Sequence, residues 1–201
     1  TTTTNANTTG VVPSAPVEVI RYWIDLDPAA EGGQRTQVAG LVPIASGERF
    51  KFHFTFGEDG YLYVVGPGEK NQPTAFLTTK PSPRTGLKTN KVSKGVEFGF
   101  PQDDQDNVHS LELDTKPGTD TFTIIFSKVP LEAPAFLSEP VNGNPLSTEQ
   151  QAELKTFVSK SQSKAPVIEL DESNAKAPFF KVKAAPDQTN TIVFDIRIQH
   201  N

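Results

Sequence analysis

The strongest pattern in the chain is a strict alternation, FKFHFTF over residues 50–56. Phe50, Phe52, Phe54 and Phe56 share one face, and Lys51, His53 and Thr55 share the other. A period of two marks a half-buried antiparallel strand. The same period runs through VEVIRYWIDL (17–26), where Ile20, Tyr22, Ile24 and Leu26 line one face and Val17, Val19, Arg21, Trp23 and Asp25 the other. It returns in NTIVFDIRIQ (190–199), with Ile192, Phe194, Ile196 and Ile198 together. GEDG (57–60) reads as a structural turn, since Gly and Asp reach positive φ most readily. YLYVV (61–65) is apolar on both faces and reads as a central strand of its sheet.

Weaker signals fill the rest. TQVAGLVPI (36–44) reads as an edge strand because of Pro43. A brief strand is expected at 74–78, another in GVEFGF (95–100), and two more in PVIEL (166–170) and FFKVK (179–183). HSLEL (109–113) and TFTIIFSKV (121–129) read as a hairpin through the Pro-Gly turn of DTKPGTD. Ser147 and Gln150 form a capping-box pattern ahead of Leu154, Phe157 and Val158, so a helix is expected over 148–160. About ten short strands and one helix predict an all-β chain, an antiparallel β-sandwich of the immunoglobulin-like or jelly-roll-like kind. Residues 1–16, TTTTNANTTGVVPSAP, have the composition of an extended arm or linker. Residues 17–201 then form a single sandwich domain whose stretch 132–201 adds the helix and further strands; a small second subdomain is the alternative.

Composition narrows the function. The net charge is −5 and the 19 Lys and Arg are scattered, which argues against a nucleic-acid surface. No apolar run approaches the roughly 18 residues of a membrane span. There is no Cys, hence no disulfide, thiolate nucleophile or Cys-ligated metal. Met is also absent. Lack of both oxidisable sulfur residues fits an extracytoplasmic place, and the missing initiator leaves room for a removed signal or lipid anchor.

Around GERFKFHFTFGEDGYLYVV the chain resembles a bacterial family, domain of unknown function 4384. The resemblance rests on Gly47-Glu48-Arg49, on Asp59-Gly60-Tyr61-Leu62-Tyr63 and on Asn90 through Pro101. It also rests on Lys116-Pro117-Gly118-Thr119-Asp120 leading into TFTIIFSKVP, and covers about residues 46–131. It departs after the Tyr strand, where AFLTTKPSP stands in place of a usual Leu-Phe-Pro-Asn segment. The resemblance implies an accessory domain, often appended to caspase-like peptidases, protein kinases or envelope proteins, and implies no activity.

Candidate chemistry is sparse. His53, His109 and His200 are the three histidines; His109 and Ser110 are neighbours in a strand and so point apart, which makes them poor catalytic partners. Asp103, Asp104 and Asp106, with Asn107, offer oxygen ligands for Ca²⁺ without the glycine and terminal Glu of a dedicated loop. Trp23, Tyr22, Tyr61 and Tyr63 are the aromatics available to stack a sugar, and all share faces with apolar neighbours. Interaction residues are expected in the Thr-rich arm (Thr1, Thr2, Thr3, Thr4, Asn5, Asn7) and in the Pro-interrupted loop (Phe76, Leu77, Pro81, Pro83). The expectation is a non-catalytic module without cofactor that binds protein partners or itself in a cell-envelope or extracellular assembly. The alternative is a carbohydrate- or Ca²⁺-binding sandwich.

Overall fold

The computed structural model describes residues 15–28, 33–41, 43–68, 71–162 and 165–201. The arm candidates Thr1, Thr2, Thr3, Thr4, Asn5 and Asn7 lie outside the described residues. The strands are β1 (Val17–Leu26), β2 (Thr36–Val38), β3 (Arg49–Phe56), β4 (Gly60–Pro67), β5 (Pro73–Leu77) and β6 (Lys91–Val92). They continue with β7 (Glu97–Phe100), β8 (Leu111–Glu112), β9 (Gly118–Ser127), β10 (Val167–Asp171), β11 (Phe179–Ala184) and β12 (Thr191–His200). One α-helix, α1 (Thr148–Gln162), falls between β9 and β10.

Two antiparallel sheets form. The first runs β10-β11-β1-β3-β7, with β2 paired to β1 and β8 to β3; the second runs β12-β9-β4-β5, with β6 on β4. Their inner faces are those the alternation names. Phe50, Phe52, Phe54 and Phe56 face Phe122, Ile124 and Phe126 across one core, with Ile20, Tyr22 and Ile24 beside them. Phe122 meets Phe50 and Phe52 edge-on, with ring centroids 5.9 and 5.0 Å apart. Gly66 makes room for this ring, since a Cβ there would come within 2.3 Å of Phe122.

β4 is buried on both faces, as its composition requires. Leu62 and Val64 join the core, while Tyr63 and Val65 point outward with Ile125 into a second cluster. That cluster is covered by Phe136, Leu137 and Leu146 and by Leu154 and Phe157 of α1. The helix starts on the capping box: Gln150 N–H donates to Ser147 Oγ at 3.3 Å, and Ser147 N–H donates to Gln150 Oε1 at 2.9 Å. The buried Tyr63 hydroxyl accepts from Leu131 N–H at 2.9 Å, and Thr78 donates to Glu139 O at 2.6 Å. These bonds pin the connector after Pro130 to the sheet.

Of two turns read from the sequence, one holds and one does not form the expected hairpin. Gly57–Gly60 does turn the chain, but from the first sheet to the second: β3 pairs with β1, β7 and β8, and β4 with β5, β6 and β9. β8 and β9 do not form a hairpin. β8 lies on β3, while β9 lies between β4 and β12. β9 is apolar at both parities, with Ile125 outward and Ile124 inward, so it needs neighbours on both edges and cover on both faces. The two-residue β8 supplies neither.

Candidate functional site

Three places bring polar groups together. The first is the outer face of the first sheet. Lys51, only 2% exposed, pairs with Asp103. Arg35 bridges Asp103 at 3.1 Å and Asp27 at 2.9 Å, and Ser110 Oγ donates to Asp27. Burial pulls the Lys51 ammonium down, against the hydrogen bond to Asp103. Burial would raise Asp103, but hydrogen bonds from Lys51, His109 N–H and Arg35 outweigh it and hold the carboxyl below its ordinary value. Asp104 is held down chiefly by His109 Nε2, at 2.9 Å, and by the N–H groups of Asp106 and Asn107.

The oxygens proposed for Ca²⁺ at Asp103 and Asp104 are therefore taken up by protein donors that fold the 101–110 loop. Asp106 enters this loop through its backbone N–H. No group of three or more His, Asp or Glu able to hold a metal ion occurs among the described residues. Beside the network, Trp23 stacks on His53 with centroids 5.3 Å apart, and His53 lies between Asp25 at 3.2 Å and Glu97 at 2.7 Å. His109 and Ser110 precede the short β8 and do not lie in a strand, and they reach different carboxylates, Asp104 and Asp27.

The second place is a cleft of about 540 Å³ on the same face, lined by Trp23 and Phe179 with Arg21, Gln37, Thr55 and Asn174. Among the other aromatics considered for sugar stacking, Tyr22 and Tyr63 are buried in the cores. Tyr61 is half-buried and packs against the outer cluster.

The third place is a cavity of about 670 Å³ at one end of the sandwich. Its apolar part is Phe76, Leu111 and Pro101, and its charged part is Glu112, Asp114 and Asp120, with Arg84 and Asn142 at the mouth. Each wall follows from local structure. In β5 the register jumps: Val64 faces Leu77, but Val65 faces Ala75, leaving Phe76 as the extra residue of a β-bulge. A bulge re-aims a side chain; here Phe76 turns inward to within 6.2 Å of the Phe122 ring. Leu77 is fully buried in the core, so of the two apolar residues expected to contact a partner only Phe76 lines the cavity. Pro81 is half-buried and Pro83 is exposed; Pro83 opens the 3-10 turn Pro83–Thr85 that carries Arg84. Gly86 closes this turn at φ +68°, where a Cβ would strike Gln102 O at 1.8 Å.

Asp120 shares the inward parity of Phe122, Ile124 and Phe126 and lies opposite Ile198. It is 8% exposed. Its nearest cationic partner is His200 Nε2, at 3.7 Å, longer than a hydrogen bond. Burial raises its carboxyl, against the attraction of His200. His200 Nδ1 in turn contacts Ser46 Oγ at 2.9 Å, which ties the last strand to the chain before β3. Sequence reasoning missed both Asp120 and His200 as a pair, because 80 residues separate them. The available signal was the break in the hydrophobic alternation of β9 at Asp120.

No curated protein and no solved structure matches this chain. Most of the cavity wall falls between residues 67 and 120, with Val141 to Gly143 added from the later connector. Residues 44–130 match the model of a family described as Domain of unknown function (DUF4384), the family that the turn and strand motifs of this segment resemble.

Proposed function

We propose that the chain is a non-catalytic interaction module that receives a segment of a partner polypeptide in the end cavity, within a cell-envelope or extracellular assembly. The observation that carries this reading is Phe76, turned inward by the β5 bulge, beside the buried carboxylate of Asp120 in one cavity. At about 670 Å³ the cavity is of ligand-binding size, and apolar walls with a few placed polar groups are what such sites use. It is built where AFLTTKPSP replaces the usual family segment. The extracytoplasmic setting is supported by the absence of Cys and Met.

A photo-crosslinking residue at Asn142, at the mouth, tests the reading in the cells that make the protein. Position 129, 65% exposed and at the opposite end of β9, serves as the control. A discrete adduct with another polypeptide, or with a second copy, is expected from position 142 alone. Equal adducts from both positions, or none from 142, would overturn it. A second reading, a sugar site in the Trp23–Phe179 cleft, is favoured by that aromatic pair among amide and hydroxyl side chains. Trp23 is the single tryptophan, so its fluorescence reports that cleft directly.

A further inference from the structure

We infer that Asn142 is a site of spontaneous covalent modification, where the side-chain amide closes on the backbone nitrogen of Gly143 and is converted to aspartate and isoaspartate. The site does not depend on what the end cavity receives. Asn142-Gly143 lies in the connector beside β5, which is held by Val141 N–H to Lys80 O at 3.2 Å and by Leu146 N–H to Pro73 O at 2.7 Å. Between these anchors the tip stands free, with Asn142, Gly143 and Asn144 all exposed.

Nucleophile, electrophile and space meet there. Among the described residues Gly143 N–H has no hydrogen-bond partner, so the attacking nitrogen is available. Asn142 Oδ1 accepts from Asn144 N–H at 2.9 Å. That oxygen takes up negative charge as the ring closes, so the N–H acts on it as an oxyanion donor does. The same bond folds the amide back along the chain toward the nitrogen that attacks. Gly143, at φ +74°, has no Cβ to crowd ring closure, and no heavy atom lies within 4 Å of where one would stand. In the reaction Gly143 N loses its proton to base and bonds to Asn142 Cγ, while the Cγ–Nδ2 bond breaks and ammonia leaves. Water then opens the succinimide: at Cγ it gives aspartate, at the main-chain carbonyl isoaspartate. Either product sets a new carboxylate at the mouth of the end cavity, and isoaspartate also lengthens the main chain between the two anchors.

The fold supplies its own comparison. Asn174 Oδ1 accepts Lys176 N–H at 3.1 Å in the same way, but the next residue is Ala175, whose Cβ hinders closure. Asn144 precedes Pro145, which has no N–H to lose. The test is to incubate the full folded chain at neutral and mildly alkaline pH, measure released ammonia, and score positions 142 and 174 in peptide digests. Asn142 is expected to convert at least about tenfold faster than Asn174, to a mixture of isoaspartate and aspartate. Its rate should rise with pH, because the nitrogen must lose a proton. Gly143→Asp, a residue that tolerates positive φ yet carries a Cβ, should slow the conversion by a similar factor. The chain unfolded in urea separates sequence from structure: position 142 should react no slower folded than unfolded, and slower reaction in the folded chain would show that the fold protects it and overturn the inference. Equal rates at 142 and 174, aspartate without isoaspartate, or an unchanged rate in Gly143→Asp would overturn it as well.

Discussion

At the scale of single residues, Asp120 and Lys51 are opposite solutions to a buried charge. Lys51 is matched by Asp103 and Arg35 is shared between Asp103 and Asp27, so the network is closed. Removing one partner of a buried pair strands the other. Asp103→Ala is therefore expected to destabilise the protein by about 2–3 kcal/mol, reduced from a fully buried pair because Asp103 is 38% exposed. Adding Lys51→Met should recover most of that loss, as read by urea unfolding; an additive loss in the double variant would contradict the pairing. Asp120 has His200 Nε2 beside it at 3.7 Å, yet burial outweighs that attraction and raises its carboxyl. Its native state then holds the proton more tightly than the unfolded chain does. Stability from this group falls as pH rises from the ordinary carboxyl value through the raised one, and is regained on acidification. Asp120→Asn should accordingly melt about 2–4 °C higher than the parent at pH 7, the shift that ~1 kcal/mol makes in a chain of this size. The gap should close toward pH 4, and a variant melting lower at pH 7 would contradict a net cost of burying this carboxylate beside His200. A residue retained against stability fits a binding role.

At the scale of elements, the alternation of β1, β3 and β12 exposed their inward faces directly, and the capping box located α1. These were legible because a period of two and a Ser-x-x-Gln pair act within a few residues. Which sheet a strand joins was not legible. The turns Gly57–Gly60 and Asp114–Gly118 look like hairpin turns, yet both carry the chain between sheets. Turn chemistry fixes the local backbone, whereas the partner is chosen by burial on faces far apart in sequence. The β5 bulge was equally hidden, since its register comes from β4 and not from PTAFL itself. Cover of the outer face of β4 is the testable consequence. Tyr63→Phe leaves Leu131 N–H without its acceptor and should lower stability by about 1–2 kcal/mol. Phe157→Ala on α1 removes part of the same cover and should lose a similar ~1–2 kcal/mol in thermal or urea unfolding. Variants indistinguishable from the parent would show that the connector and helix lie loosely on the sheet.

At the scale of the whole molecule, the segment matching the family model does not contain its own structural partners. β1 lies between β11 and β3, and β12 borders β9, so residues 44–130 lack the strands on both sides of the core. That fragment alone is expected to give a collapsed, poorly dispersed NMR spectrum, and a well-dispersed one would show an independent unit. The all-β class and the doubly buried β4 were readable from the chain, because both follow from composition along single strands. The end cavity was not, because β5, the turn before Gly86, β8, β9 and the 141–143 stretch meet only after folding. The account of function stands on that meeting point. Its most direct test is the yield of the position-142 crosslink in Asp120→Asn compared with the parent, at equal protein levels and with the fold of both checked by NMR. The account predicts that the partner adduct falls about tenfold or more when the buried carboxylate is lost; an unchanged yield would contradict it.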